Sequence, residues 1–124
     1  MIISFGWTTP ALLAGAKTMT RREWRNSHAA KFKAGMLIDA WNTSPRNVKG
    51  NPHKVATIRL THDAELIRRN DLVPEDWVAE GFDYLTDHGL MVGDRTPTQV
   101  WRDWQNALPI EEHYIVRFEV VELL

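Results

Sequence analysis

Apolar stretches lie at opposite ends of the 124-residue chain: Ile2, Ile3 and Phe5 near the start, and Ile115, Val116, Phe118, Val120 and Val121 near the end. Between them, residues 54 to 60 alternate, with Val55, Thr57 and Arg59 on one face and Ala56, Ile58 and Leu60 on the other. Strands at both ends and in the middle have to meet across long connections that read as helical. This pattern predicts an α+β domain built on a closed or curled sheet. The length suits one domain, residues 1–124, and 44% hydrophobic with 25% charged residues is ordinary for a globular chain.

The connections carry their own punctuation. Thr8 or Thr9 is placed to cap a helix with Pro10 at its first position, reaching Gly15. Residues 23 to 33 read as an amphipathic helix with Trp24, His28 and Phe32 on one face, stopped by Gly35. A strand over residues 36 to 41 follows, then a polar loop over 43 to 53. Asp63 is placed to cap a short helix through Arg69. Pro74 opens another, with Glu75 and Asp76 in its first turn, ending at Gly81. Residues 83 to 95 read as irregular. Thr96-Pro97 starts a helix along which Trp101, Trp104 and Leu108 line one face and which Pro109 ends, and residues 113 to 121 form the last strand.

Between the first helix and the second lies the densest chemistry, residues 15 to 24, with Lys17, Thr18, Thr20, Arg21, Arg22, Glu23 and Trp24 after Gly15. Cations beside hydroxyls suit holding an anion, or activating a hydroxyl with an amine whose pKa its neighbours depress. A solvated basic surface is the alternative that composition alone supports. In a regular strand Lys17 and Thr20 face opposite ways, so cooperation between them requires an irregular backbone, which Gly15 is placed to begin.

Net charge is −1, so any basic surface is local. Lys17, Arg21, Arg22, Arg25, Lys31 and Lys33 face only Glu23 within residues 1 to 33, which fits a small anionic molecule or a short nucleic acid better than a long duplex. The absence of cysteine excludes disulfides and thiolate metal sites. The five histidines are scattered without zinc-like spacing, and neither a metal nor a cofactor is predicted. The start lacks a signal-peptide pattern and no apolar run approaches membrane-spanning length, so a cytoplasmic protein without membrane contact is expected. Six tryptophans offer both core and base-stacking surface.

The pattern Gly15-x-Lys17-Thr18-x-Thr20-x-Arg22 resembles the signature of the ASCH domain, a small β-barrel family related in fold to the PUA RNA-binding domain. Ala79-Glu80-Gly81-Phe82 falls where that family has an acidic-glycine-aromatic element, and the terminal strands recur in family order. The resemblance implies a PUA-like curled β-barrel with flanking helices. It also implies an amidohydrolase acting on N4-acylated cytosine nucleosides such as N4-acetylcytidine, with Lys17, Thr20 and Glu80 as the catalytic set. Arg21, Arg22, Trp24, Thr18 and Trp77 are then candidates to bind the nucleoside or modified base.

The chemistry of such a set is coherent. A threonine hydroxyl needs a base beside it. A lysine becomes one only if its pKa falls from ~10.4 to about 7 to 8, which takes about 4 kcal/mol from burial and neighbouring cations. Glu80 would protonate the departing nitrogen or position water. Each residue also has a structural role open to it: Lys17 pairing with Glu80, Thr20 satisfying a turn, Trp24 and Trp77 in the core. The second functional reading is a non-catalytic module that binds RNA, another single strand or a modified base. It uses Arg21, Arg22, Arg25 and Lys33 with Trp24 and Trp41. Two departures bear on the substrate. Arg21 stands where the amidohydrolase-like members have an apolar residue. The extra segment over residues 83 to 109, with Trp101 and Trp104, is placed to cover the cleft.

Overall fold

The computed structural model describes residues 1–68, 70–107 and 111–124. Six strands form one strongly curled half-barrel sheet: β1 (Ile2–Ser4), β2 (Met19–Arg22), β3 (Leu37–Trp41), β4 (Lys54–Leu60), β5 (Glu65–Arg68) and β6 (Glu112–Leu123). Their order is β1-β3-β4-β6-β2, with β5 also paired to β6. β1 runs parallel to β3 and every other pairing is antiparallel. The long β6 organises the sheet. Phe118 to Leu123 pair with β4, whereas Ile115 is in register with both Arg21 of β2 and Glu65 of β5.

Five short helices, α1 (Thr9–Leu13), α2 (Asn26–Ala29), α3 (Pro74–Ala79), α4 (Phe82–Asp87) and α5 (Pro97–Gln105), flank the sheet. The alternation in β4 turns Ala56, Ile58 and Leu60 into the main core beside Ile3, Phe5, Phe32, Ile38, Val116 and Phe118. Burial of each such large side chain contributes about 1.5–3 kcal/mol. A second cluster of Ala11, Phe82, Leu85 and Val100 joins α1, α4 and α5. None of these helices is long and apolar enough to cross a membrane, among the described residues.

Several expectations are corrected. Residues 65 to 68 are a strand and not part of a helix: β6 offers them a hydrogen-bonding edge, and Asp63 accepts from the Ala34 N–H at 2.8 Å instead of capping. Arg69, Leu108 and Pro109 lie outside the described residues. The helix expected over 23 to 33 shrinks to Asn26–Ala29, because β2 keeps the chain extended through Arg22 and Arg25 is still extended. The Trp24, His28 and Phe32 face nevertheless forms, with Trp24 stacked on Phe32 at 4.2 Å. Residues 83 to 87, expected as irregular, belong to the helix Phe82–Asp87, because Phe82 and Leu85 are buried in the second cluster. Neither Thr8 nor Thr9 caps α1; their hydroxyls donate back to the Phe5 and Gly6 carbonyls. The Thr96 cap forms as expected, its hydroxyl accepting from Gln99 N–H at 3.2 Å.

Gly81 joins α3 to α4 at φ 88°, and a Cβ there would lie 2.7 Å from Ala11 Cβ and 3.2 Å from Lys17 Cβ. Gly35 has the same φ with open space around it. Gly81→Ala is therefore expected to lose about 2–4 kcal/mol, strain plus overpacking, and Gly35→Ala only about 1–2 kcal/mol. Urea midpoints of the two variants check the difference.

Candidate functional site

Gly15, at φ 73°, turns the chain out of α1. Lys17 falls in the short non-strand segment before β2. Thr18 then fixes the backbone on both sides, its N–H donating to Ala79 O at 2.8 Å and its carbonyl accepting from Phe118 N–H at 2.9 Å. Within β2, Thr20 and Arg22 share a face, and Arg22 Nε donates to Thr20 Oγ1 at 3.2 Å. Lys17 and Thr20 reach the same cleft because Lys17 is outside the strand's alternation.

Glu80 arrives from the other side, at the end of α3. Lys17 Nζ donates to the Glu80 backbone carbonyl at 2.8 Å and lies 3.4 Å from Oε2, with both side chains almost fully buried. Arg21 Nη2 donates to Asp76 Oδ2 at 2.9 Å. The same Asp76 oxygen accepts from Val73 N–H at 3.2 Å. Arg21 Nε sits 3.5 Å from Glu80 Oε1, close enough for attraction but outside hydrogen-bond geometry, so both atoms are buried without a hydrogen bond among the described residues. Trp104 covers the Arg21 guanidinium at 5.3 Å. Arg22 donates through Nη2 to the Ser4 carbonyl and lies over the Phe5 ring at 5.7 Å, joining the sheet's two end strands.

These groups floor a cleft of about 420 Å³. Its walls are Phe5, Trp7 and Thr8 from the first turn, Thr43 and Ser44 from the loop after β3, and Val92, Val100 and Trp104 from the segment around α5. Burial pushes the Lys17 ammonium's pKa down; Glu80 opposes this, and Arg22 and Arg21 assist it. Burial pushes the Glu80 carboxyl up, against the pull of Lys17, Arg21 and Arg22. Arg22 has no carboxylate within ion-pair distance among the described residues. With all five groups ionised, Lys17, Arg21 and Arg22 against Asp76 and Glu80 leave one surplus positive charge. The surplus vanishes when Lys17 gives up its proton.

Of the residues picked from sequence, Lys17, Thr20, Arg21, Arg22 and Glu80 converge on this cleft. Thr18 does not: it lines a separate cavity beside Val78 and Tyr84. Trp24 packs on Phe32 and His28, and Trp77 packs edge-on against Phe82 and Trp101; both belong with the core clusters rather than the cleft lining. Lys33 pairs with Asp63 on the surface, and Arg25 and Trp41 also stand outside the cleft lining. Sequence reading missed Asp76, Trp7, Phe5, Thr43 and Ser44. Asp76 was visible only as a first-turn acid, which gives no hint of its arginine partner. Away from the cleft, His113 Nε2 lies 3.4 Å from Glu111 and 3.7 Å from Glu23. The three side chains place one ligand atom each within 4.8 Å of the others, a grouping that sequence spacing did not single out.

Neither a family model nor a curated protein matches the chain. Among solved structures, it is similar to the crystal structure of protein EF3133 from Enterococcus faecalis V583, described by the family model DUF984. The similarity has a TM-score of 0.60 at 20% identity and covers 96% of this chain and 72% of that one. At that identity the likeness establishes the curled-sheet fold alone.

Glu80's raised carboxyl ties stability to pH. The folded state holds the proton more tightly than the unfolded chain, so this contribution is complete below the ordinary carboxylate range and is lost as pH rises through the folded value. Glu80→Gln is expected to abolish that decline, checked by urea midpoints from the ordinary carboxylate range upward.

Proposed function

We propose that the chain is an ASCH-like hydrolase that cleaves the amide of N4-acylated cytosine nucleosides. The observation that carries this reading is the meeting of Lys17, Thr20 and Glu80 at the floor of one cleft, with Lys17 buried among cations. A buried lysine flanked by Arg21 and Arg22 is the kind of amine that serves as a base near neutral pH.

Lys17 takes the Thr20 hydroxyl proton as Oγ1 attacks the acyl carbonyl. The Arg22 Nε–H that donates to Oγ1 favours the developing alkoxide. Arg22 also offers positive charge to the oxyanion. The C–N bond then breaks, and the cytosine nitrogen leaves with the proton held by the Glu80 carboxyl, whose raised pKa suits an acid. Water adds to the acyl-threonine, giving one proton to Glu80, and Lys17 returns its proton to Oγ1. The products are the free acid and the cytosine amine. Arg21 works partly against this scheme, because its charge beside Glu80 favours the ionised carboxylate. This additional cation, set where an apolar residue is expected, is a reason to test several acyl groups.

The alternative reading, a non-catalytic binding module, draws support from the Lys17–Glu80 contact as a static ion pair. Of its four phosphate-contacting candidates, Arg21 and Arg22 line the cleft, whereas Arg25 and Lys33 stand outside it, which leaves a shorter basic surface than that reading expects.

The test is hydrolysis of N4-acetylcytidine followed by its ultraviolet change. Thr20→Val is expected to reduce kcat by at least about a thousandfold. Lys17→Met and Glu80→Gln should fall at least about a hundredfold, in proteins whose circular dichroism is unchanged. The wild-type rate should rise with pH through a limb lying below the ordinary lysine range. Absence of wild-type turnover on acetyl, propionyl and larger N4-acyl cytidines would sink the reading.

A further inference from the structure

A second cavity of about 290 Å³ adjoins the charged cleft, and the two share Gly6, Trp7 and Thr43. Its other lining residues are Asn42, Asn47 and Gly50, so no charged side chain among the described residues borders it. Trp7 stands between the two spaces and is 66% exposed.

An exposed indole is unremarked on most surfaces, but the turn that carries this one is held in place. Gly6 adopts φ 52°, and the 3-10 turn Gly6–Thr8 is locked by Thr8 Oγ1 donating to Phe5 O at 2.8 Å and Thr9 Oγ1 donating to Gly6 O at 2.7 Å. The opposite wall is equally fixed. Asn42 Oδ1 accepts from His53 N–H at 2.9 Å, Asn42 Nδ2 donates to Asn51 O at 3.1 Å, and Asn47 Nδ2 donates to Thr43 Oγ1 at 3.1 Å. An aromatic residue carried on a fixed turn and facing a wall set by its own hydrogen bonds is a partly preorganised platform, and preorganisation raises affinity.

The two spaces differ in chemistry. The cleft presents Lys17, Arg21, Arg22 and Glu80; the second cavity presents amides and a hydroxyl, which both donate and accept. Amides and hydroxyls match the hydroxyls of a sugar. A phosphate would call for a cation in the lining.

We infer that Trp7 divides one elongated site into two subsites, the charged one for the planar base and the neutral one for a sugar, so that the ligand is a nucleoside rather than a free base. This rests on the nucleobase reading of the cleft and adds the second subsite and its selectivity.

Calorimetric titration with cytosine, cytidine and cytidine 5′-monophosphate tests it, since none of these carries an acyl group. Cytidine is expected to bind the wild type at least about tenfold more tightly than cytosine, with no gain from the 5′-phosphate. Trp7→Ala should weaken cytidine at least about tenfold, as loss of a stacking face does, while Trp7→Phe keeps most of the affinity. Asn47→Ala should weaken cytidine and leave cytosine unchanged. Equal binding of cytosine and cytidine, a tenfold gain from the phosphate, indifference to Trp7→Ala in folded protein, or no binding of any probe would each overturn the inference. Turnover of N4-acetylcytidine with Trp7-indifferent binding overturns this inference alone. Trp7-dependent cytidine binding without turnover overturns the hydrolase reading alone.

Discussion

The contact between Lys17 and Glu80 is the interaction on which the architecture turns. Two ionisable groups are taken out of water at the junction of the sheet and the helical layer. Desolvating such a pair usually costs about as much as its attraction returns, and an apolar pair of similar volume would often do as well for stability. What the pair does provide is two displaced pKa values in one cleft, the amine's lowered and the carboxyl's raised. Displaced pairs of this kind recur where acid–base chemistry is done, and buried structural ion pairs show them too.

The surrounding charges decide how the pair behaves. Arg21 is already balanced by Asp76, which also ties down the start of α3. Arg22 has no carboxylate within ion-pair distance among the described residues; its donors go to a hydroxyl and a carbonyl. The unbalanced charge therefore falls on the remaining titratable cation, Lys17, and a neutral amine relieves it while Glu80 is ionised; with Glu80 protonated as well, one positive charge stays in the cleft. A ligand that brings its own negative charge competes for that role, because it would let Lys17 keep its proton.

The sheet's curl makes this arrangement possible. β6 is long enough to pair with β4 at one end and with β2 and β5 at the other, so β2 is carried around until Arg22 reaches the carbonyl of Ser4 in β1. The helical layer then closes on β2 through Thr18 and Ala79, bringing Glu80 against Lys17. Gly81 is the hinge of that closure, since any Cβ there would meet Ala11 and the Lys17 stem.

Much of the local structure was legible in the residues themselves. The alternation over residues 54 to 60, the Thr96-Pro97 start and the turn at Gly15 are short-range effects, set by side-chain period, a capping hydroxyl and a permissive backbone. The strand over residues 65 to 68 and the helix over 82 to 87 were not, because an edge offered by β6 and an apolar cluster formed by α1 and α5 outweigh weak local preference. The cationic and hydroxyl cluster in β2 was evident from composition and spacing alone. The sequence also determined that Lys17 and Thr20 could cooperate only where regular alternation is broken. Tertiary structure alone decided that Glu80 lies against an amine 63 residues away, that Asp76 balances Arg21, and that Trp7 rather than Trp24 or Trp77 stands in the cleft. Charge proximity and burial are properties of packed neighbours, and no local pattern in a chain encodes which distant surfaces will exclude water together.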